Sequence, residues 1–223
     1  MKIMIINPNS DSKMTKAIQN TADTFVDNQI KIVCVDTPGA PDFIETYEDE
    51  VQAAPGMLKL VRENEKEFDG FIIACHCDPS LDTIKEITTK PVLGIGEASM
   101  KIASMLGHSF SVVSMTKKSI PNKEALIRKY YLQDALASIR APDATMEVMT
   151  EEEKYYEVAK VAMEKDMAEV IVLGCAGMTG LDKRLEKKLG IPVLDGVVCA
   201  IIILSGLIKY RVSTSKVRRY KSV

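Results

Sequence analysis

With 223 residues, 46% of them hydrophobic and 27% charged, the chain has an ordinary globular composition and enough length for one large or two small domains. A net charge of −2 argues against a general nucleic-acid surface. The longest apolar stretch, Val197 to Ile208, is broken by Ser205 and Gly206 and falls well short of the roughly 20 residues of a membrane span, so it reads as a buried helix.

In chain order, Lys2 to Ile6 is a continuous apolar run stopped by Asn7-Pro8-Asn9-Ser10, which predicts a buried parallel strand and a turn. Ser10 or Asp11 then caps a helix over 12–26, whose apolar positions Met14, Ala17, Ile18, Ala22 and Phe25 keep a three-and-four spacing. Ile30 to Val35 is the next strand. The acidic segment Asp42 to Asp49, with Phe43, Ile44 and Tyr47 interspersed, suits either a loop over a pocket or a plain surface connection. Helical spacing returns over 50–67, where Pro55 should start a new segment or kink the helix. A strand follows Asp69-Gly70, and Asp78-Pro79 predicts a helix start with Asp78 as its cap. Pro91 to Ile95 is a strand; the glycines of Gly94-Ile95-Gly96-Glu97 suggest a crossover into a helix over 98–106.

The second half repeats the alternation. Strands are expected at 110–115, 170–174 and 192–194, and helices at 122–132, 151–166, 181–189 and 197–210; the stretch 133–150 has no clear period. The basic end, Lys209 to Val223, reads as a solvated and partly frayed terminus. Alternating strands and helices predict an α/β architecture: two similar domains, each a parallel sheet flanked by helices. Ligands in such sheets bind beyond the carboxyl ends of the strands.

Two strand ends deliver a cysteine. Ile72-Ile73-Ala74-Cys75 and Leu173-Gly174-Cys175 stand one hundred residues apart, and Leu81-Asp82 and Leu181-Asp182 begin six residues after each cysteine. This is an internal duplication, and it places a thiol from each half on opposite sides of a shared cleft. Helix starts after each cysteine are expected to lower the thiol pKa below its reference of roughly 8.5. A base on one face of a carbon and an acid on the other invert a stereocentre next to a carbonyl, with backbone amides steadying the enolate oxygen. The sequence offers no dinucleotide turn, phosphate loop or zinc pair, so no cofactor and no metal are expected. Cys75-His76-Cys77 on its own is a poor metal site, since adjacent residues do not converge tetrahedrally. Cys34 and Cys199, inside apolar runs, read as core.

The segments Ile6-Asn7-Pro8-Asn9-Ser10, Ala53-Ala54-Pro55-Gly56, Ala74-Cys75 with Asp78-Pro79 and Leu81, Gly94-Ile95-Gly96-Glu97-Ala98, Phe110-Ser111-Val112-Val113 and Leu173-Gly174-Cys175-Ala176-Gly177-Met178 together resemble the hydantoin racemases, allantoin racemase among them, of the aspartate/glutamate racemase superfamily. The resemblance implies a cofactor-independent racemase acting on 5-substituted hydantoins or allantoin, with Cys75 and Cys175 as the catalytic pair. It also implies a discontinuous first domain, residues 1–96 closed by 197–223, and a second domain over 97–196. Candidate substrate-binding residues are Asn7, His76, Cys77, Asp78, Ser114, Thr116, Ala176 and Gly177, all at strand ends. His76 and Cys77 depart from the family's pattern and bear on substrate choice; Ala176 and Gly177 stand where amino-acid racemases carry Thr and His, which disfavours aspartate or glutamate. The expected partner is a small-molecule substrate, with no nucleic acid and no membrane, for a homo-oligomer. Five cysteines and an initial apolar run too short for a signal peptide predict reduced thiols in the cytoplasm. Two other classes are consistent with the same scaffold: a lyase or isomerase such as a malonate decarboxylase or maleate isomerase, the former needing one thiol only, and a non-catalytic two-domain binding protein.

Overall fold

The computed structural model describes residues 1–221. The first half contains strands β1 (Lys2–Asn7), β2 (Lys31–Asp36), β3 (Gly70–Ile73) and β4 (Val92–Gly94) with helices α1 (Ser12–Phe25), α2 (Tyr47–Asn64), α3 (Leu81–Ile87) and α4 (Ile95–Leu106). The second contains β5 (Phe110–Val113), β6 (Leu136–Arg140), β7 (Val170–Leu173) and β8 (Val193–Leu194) with α5 (Ile120–Lys129), α6 (Glu151–Asp166), α7 (Asp182–Leu189) and α8 (Gly196–Tyr210). The sheets run β2-β1-β3-β4 and β6-β5-β7-β8, every pairing parallel. The order is the same in both halves, so the duplication read from cysteine spacing is present as topology, and β3 and β7 are equivalent inner strands.

Both faces of each sheet are covered, which explains why the strands read as continuous apolar runs. On one face of the first sheet, Ile3, Ile5, Ile72 and Leu93 pack against Ile18 and Ala22 of α1 and Ala200, Ile201 and Leu204 of α8. On the other, Met4, Ile6, Phe71, Ile73 and Val92 meet Ala53, Met57 and Val61 of α2 and Ile84 of α3. In the second sheet Ile171, Leu173 and Val193 face α6 and α7, and Phe110, Val112, Val170 and Val172 face α5. Helix α4 joins the halves, burying Ile95 and Ala98 in the first core and Met100 and Ala103 in the second. Among the described residues no helix is long and apolar enough to cross a membrane.

Four local expectations are corrected. Helix α2 begins at Tyr47, earlier than the spacing suggested, because Thr46 and Asp49 form a reciprocal capping box, and it continues through Pro55 as one helix. Pro55 and Val51, whose carbonyl loses its amide donor, both lie on the exposed face, so the lost bond is not a buried one. The unclear stretch 133–150 holds edge strand β6, half-buried along its length and therefore without an apolar signature; Arg140 and Ser138 tie it to Asp166 of α6. Within the described residues the basic end is tied down: Lys216 Nζ donates to the Lys85 and Glu86 carbonyls at the end of α3, and Tyr220 Oη donates to Asp82. Its last two residues, 222 and 223, lie outside the described residues. Finally, Asp78 caps a different helix from the one expected, as described next.

Candidate active site

Cys75 and Cys175 follow β3 and β7 by two residues each and line one cleft between the sheets. The cleft has two small chambers, about 20 and 30 Å³. The first is bounded by Asn7, Pro8, Met14, Phe43, Ile44 and Ala176, the second by His76, Cys77, Ser114, Thr116, Ser119 and Lys123. Such chambers hold one or two waters and no ring-sized ligand. A larger cavity of about 630 Å³ lies away from both catalytic candidates, among α1, α4 and α8.

The duplication extends to how each sulfur is held. The Gly177 amide donates to Cys175 Sγ at 3.3 Å, and the Cys77 amide, two residues after Cys75 as Gly177 is after Cys175, acts on Cys75 in the same lowering sense. The expected lowering of both thiols is corrected. The neighbouring Cys77 side chain, and then burial, raise Cys75 well above its ordinary pKa. Cys77 is lowered, chiefly by the Cys75 side chain and further by Lys123. Burial raises Cys175 against the pull of the Gly177 amide and Lys123. Desolvation thus outweighs one amide from a short turn, because only a single amide, and no long helix, points at each sulfur.

Asp78 turns away from the cleft. Its carboxylate accepts from the Gly96 and Glu97 amides at 3.0 and 2.7 Å and from Tyr130 Oη at 2.7 Å, so it caps α4 and not α3. Residue 78 has φ +48, and Ser80, the residue preceding α3, offers no side-chain cap. A Cβ on Gly94 would collide with this carboxylate, so the glycines at the crossover into α4 also provide the room that Asp78 needs at its start. The second half makes the same join from the other side. Asp195, the N-cap of α8, accepts from its own helix at Val197 and from Thr179 and Gly180 in the loop after Cys175.

The other candidates divide. Asn7 is buried and donates to Asn9 Oδ1 at 2.6 Å and Thr15 Oγ1 at 3.0 Å, so its amide nitrogen holds the β1–α1 loop. Ser114 Oγ is taken up by Ser119 Oγ and the Thr116 carbonyl. His76 is buried; its Nε2 lies 3.4 Å from Ser99 Oγ, its Nδ1 has no partner, and burial together with Lys123 holds its pKa well below the usual value, leaving it neutral. Ala176 is buried and lines the first chamber, whereas Gly177 is exposed.

Two features escaped the sequence reading. Lys123, on α5, reaches the second chamber with only 2% exposure and donates to the Gly174 carbonyl at 2.9 Å. The loop before α2 covers both chambers with Phe43 and Ile44 and is latched across the cleft: Thr116 Oγ1 donates to Glu45 Oε1 at 2.9 Å, Lys118 Nζ lies 3.3 Å from Glu45 Oε2, and Asn122 Nδ2 donates to Glu50. Thr116 is therefore a latch residue in this closed arrangement. The acidic pattern of 42–49 signalled the loop; only the fold shows what it covers.

Residues 3–203 match the family model described as Asp/Glu/Hydantoin racemase. The chain belongs to that family. It is 38% identical to a hydantoin racemase of Pseudomonas sp. (strain NS671), over 99% of this chain and 91% of that one, and 35% identical to a hydantoin racemase of Paenarthrobacter aurescens, over 99% and 97%. The allantoin racemase structure from Klebsiella pneumoniae superposes with a TM-score of 0.94 at 31% identity, covering 100% of this chain and 94% of that one. A maleate isomerase from Pseudomonas putida S16, at 16% identity and a TM-score of 0.67 over 93% of this chain and 92% of that one, shares the fold alone.

Proposed function

We propose that this family member is a cofactor-independent racemase of 5-substituted hydantoins or allantoin, in which Cys75 and Cys175 are the two bases. The observation that carries the reading is the pair of thiols at the ends of equivalent strands, lining one cleft. The substrate class rests on the hydantoin and allantoin racemases to which the chain is similar over its length.

One thiolate removes the proton on the ring carbon next to the carbonyl, electrons move into the enolate, and the opposite thiol returns a proton to the other face. The reverse reaction exchanges the roles. Burial suits this chemistry: a desolvated thiolate is a stronger base toward a weak carbon acid, and a dry cleft protects the enolate. His76 and Cys77, beside Cys75 in the second chamber, shape the substrate pocket in this proposal. The unit division 1–96 with 197–223 against 97–196 belongs to the same proposal, supported by the packing of α8 on the first sheet. A cytoplasmic homo-oligomer is the setting we infer; the free state of all five cysteines supports a reducing compartment.

The test follows loss of optical rotation for single enantiomers of several hydantoins, allantoin, aspartate and glutamate, without added cofactor and with a chelator. Racemisation of a hydantoin or allantoin that persists in chelator is the expected result. Activity confined to the amino acids, or lost with the chelator, overturns the reading. The latched loop adds a second expectation: Glu45→Ala raises KM by about three- to tenfold with a smaller change in kcat, since it loosens closure and leaves both thiols in place. Steady-state kinetics on the variant check this, and an unchanged KM removes the latch.

A further inference from the structure

Lys123 is a buried cation without a carboxylate. Its side chain is 2% exposed, its one hydrogen bond goes to the Gly174 carbonyl, and among the described residues it joins no ion pair. An ammonium has three donors, and a desolvated charge with one carbonyl partner is costly unless an anion faces it.

The groups around it narrow the choice of anion. Glu45, at the same chamber, is taken by Thr116 and Lys118, Glu50 of α2 is held by Asn122, and Asp78 is held by the α4 amides and Tyr130. His76 is neutral, and the Tyr155 hydroxyl on α6 donates to Glu151. What remains in the chamber is thiols: Cys75 with Cys77 on one wall and Cys175 on the other. Before and after each turnover a two-base racemase has one thiolate and one thiol; in between, both sulfurs are protonated and the charge is on the enolate, so the single negative charge crosses the cleft at each turnover.

We propose that Lys123 is the positioning residue that balances this single negative charge, serving as the fixed counter-ion of whichever wall of the cleft is ionised. It rests on the two-thiol reading above. Lys123 lines the one chamber that Cys75, Cys77 and Cys175 share and is anchored to the carbonyl just before Cys175, which puts one cation at the chamber both walls face. It lowers Cys175 on one wall and, on the other, Cys77, the immediate neighbour of Cys75.

The experiment measures the pH dependence of iodoacetamide alkylation at each cysteine by peptide mass spectrometry, together with racemisation, in wild type, Lys123→Met, Lys123→Gln and Lys123→Arg. Lys123→Gln retains a donor for the Gly174 carbonyl without the charge. In the neutral variants the alkylation midpoints of Cys175 and of the Cys75–Cys77 pair should rise by about 1–3 pH units. The kcat/KM should fall about tenfold or more at neutral pH and recover as the pH is raised. Lys123→Arg, which keeps a cation, should hold its midpoints within about one unit of wild type. Unchanged midpoints in a folded neutral variant overturn the proposal, as do Arg midpoints displaced as far as those of the neutral variants; should neither neutral variant fold, the Arg result decides. A wild-type protein that racemises no hydantoin while its thiols still respond to Lys123 sinks the racemase reading and leaves the counter-ion role standing.

Discussion

Replacing Cys75 or Cys175 by Ser is expected to reduce racemisation by about 10³-fold, the middle of the range for losing a positioned acid or base. The hydroxyl nearly matches the thiol in size, so the fold should be preserved, but its pKa is far too high to supply the base or to exchange roles. The losses should not add: once one base is gone the inversion is broken, and the double variant should be little worse than either single one. Each single variant retains one thiol, facing the carbon–hydrogen bond of one enantiomer only. Incubation in deuterium oxide should therefore label one enantiomer in Cys75→Ser and the other in Cys175→Ser, with no change in optical rotation. Full activity in either variant removes the two-base mechanism, whereas a variant that racemises neither enantiomer but labels both points to a single base with a mobile substrate.

The second large effect is structural. Asp78→Ala removes a buried carboxylate that satisfies two amides of α4 and the Tyr130 hydroxyl, three donors left unpaired beside Gly94 and Gly96. At roughly 1–3 kcal/mol for each buried donor left without a partner, partly relieved by water entering the space, a net loss of about 3 kcal/mol is expected. That corresponds to a fall in Tm of roughly 6–12 °C for a chain of this size, measurable by calorimetry. Asp78→Asn, which keeps one acceptor oxygen, should lose less than half as much.

The pH dependence separates this carboxylate from the surface acids. Burial pushes Asp78 up to about 6, against the pull of its three donors and above the ordinary carboxyl value of 3.8. Between those two values the folded protein holds a proton that the unfolded chain has released, so stability falls as pH rises through the window. Wild type measured against Asp78→Asn should accordingly lose about 2–3 kcal/mol between pH 4 and pH 6.5. A flat difference across that range would show that the three donors already offset the burial.

What was legible in the sequence was whatever local spacing and composition control. Continuous apolar runs gave the buried inner strands, and three-and-four spacing gave α1 and α6. Repetition of a strand ending in cysteine gave both the duplication and the cleft. The capping box at Thr46 and Asp49 was also local, but Pro55 drew the helix start downstream of it. Edge strand β6 left no trace because an edge is half-buried and mixes polar with apolar residues.

By itself, then, the sequence determined that two thiols sit at equivalent strand ends of a doubled α/β chain, since strand periodicity and the repeat are properties of neighbouring residues. Only the tertiary structure decided what surrounds those thiols. It sent Asp78 to the start of α4, brought Lys123 in from another element, and latched Glu45 over the cleft, all contacts between residues distant in the chain. It also reversed the expected direction for Cys75, through the Cys77 side chain and then burial, and for Cys175, through burial, because desolvation depends on the whole enclosing fold while a helix start is a feature of the next few residues.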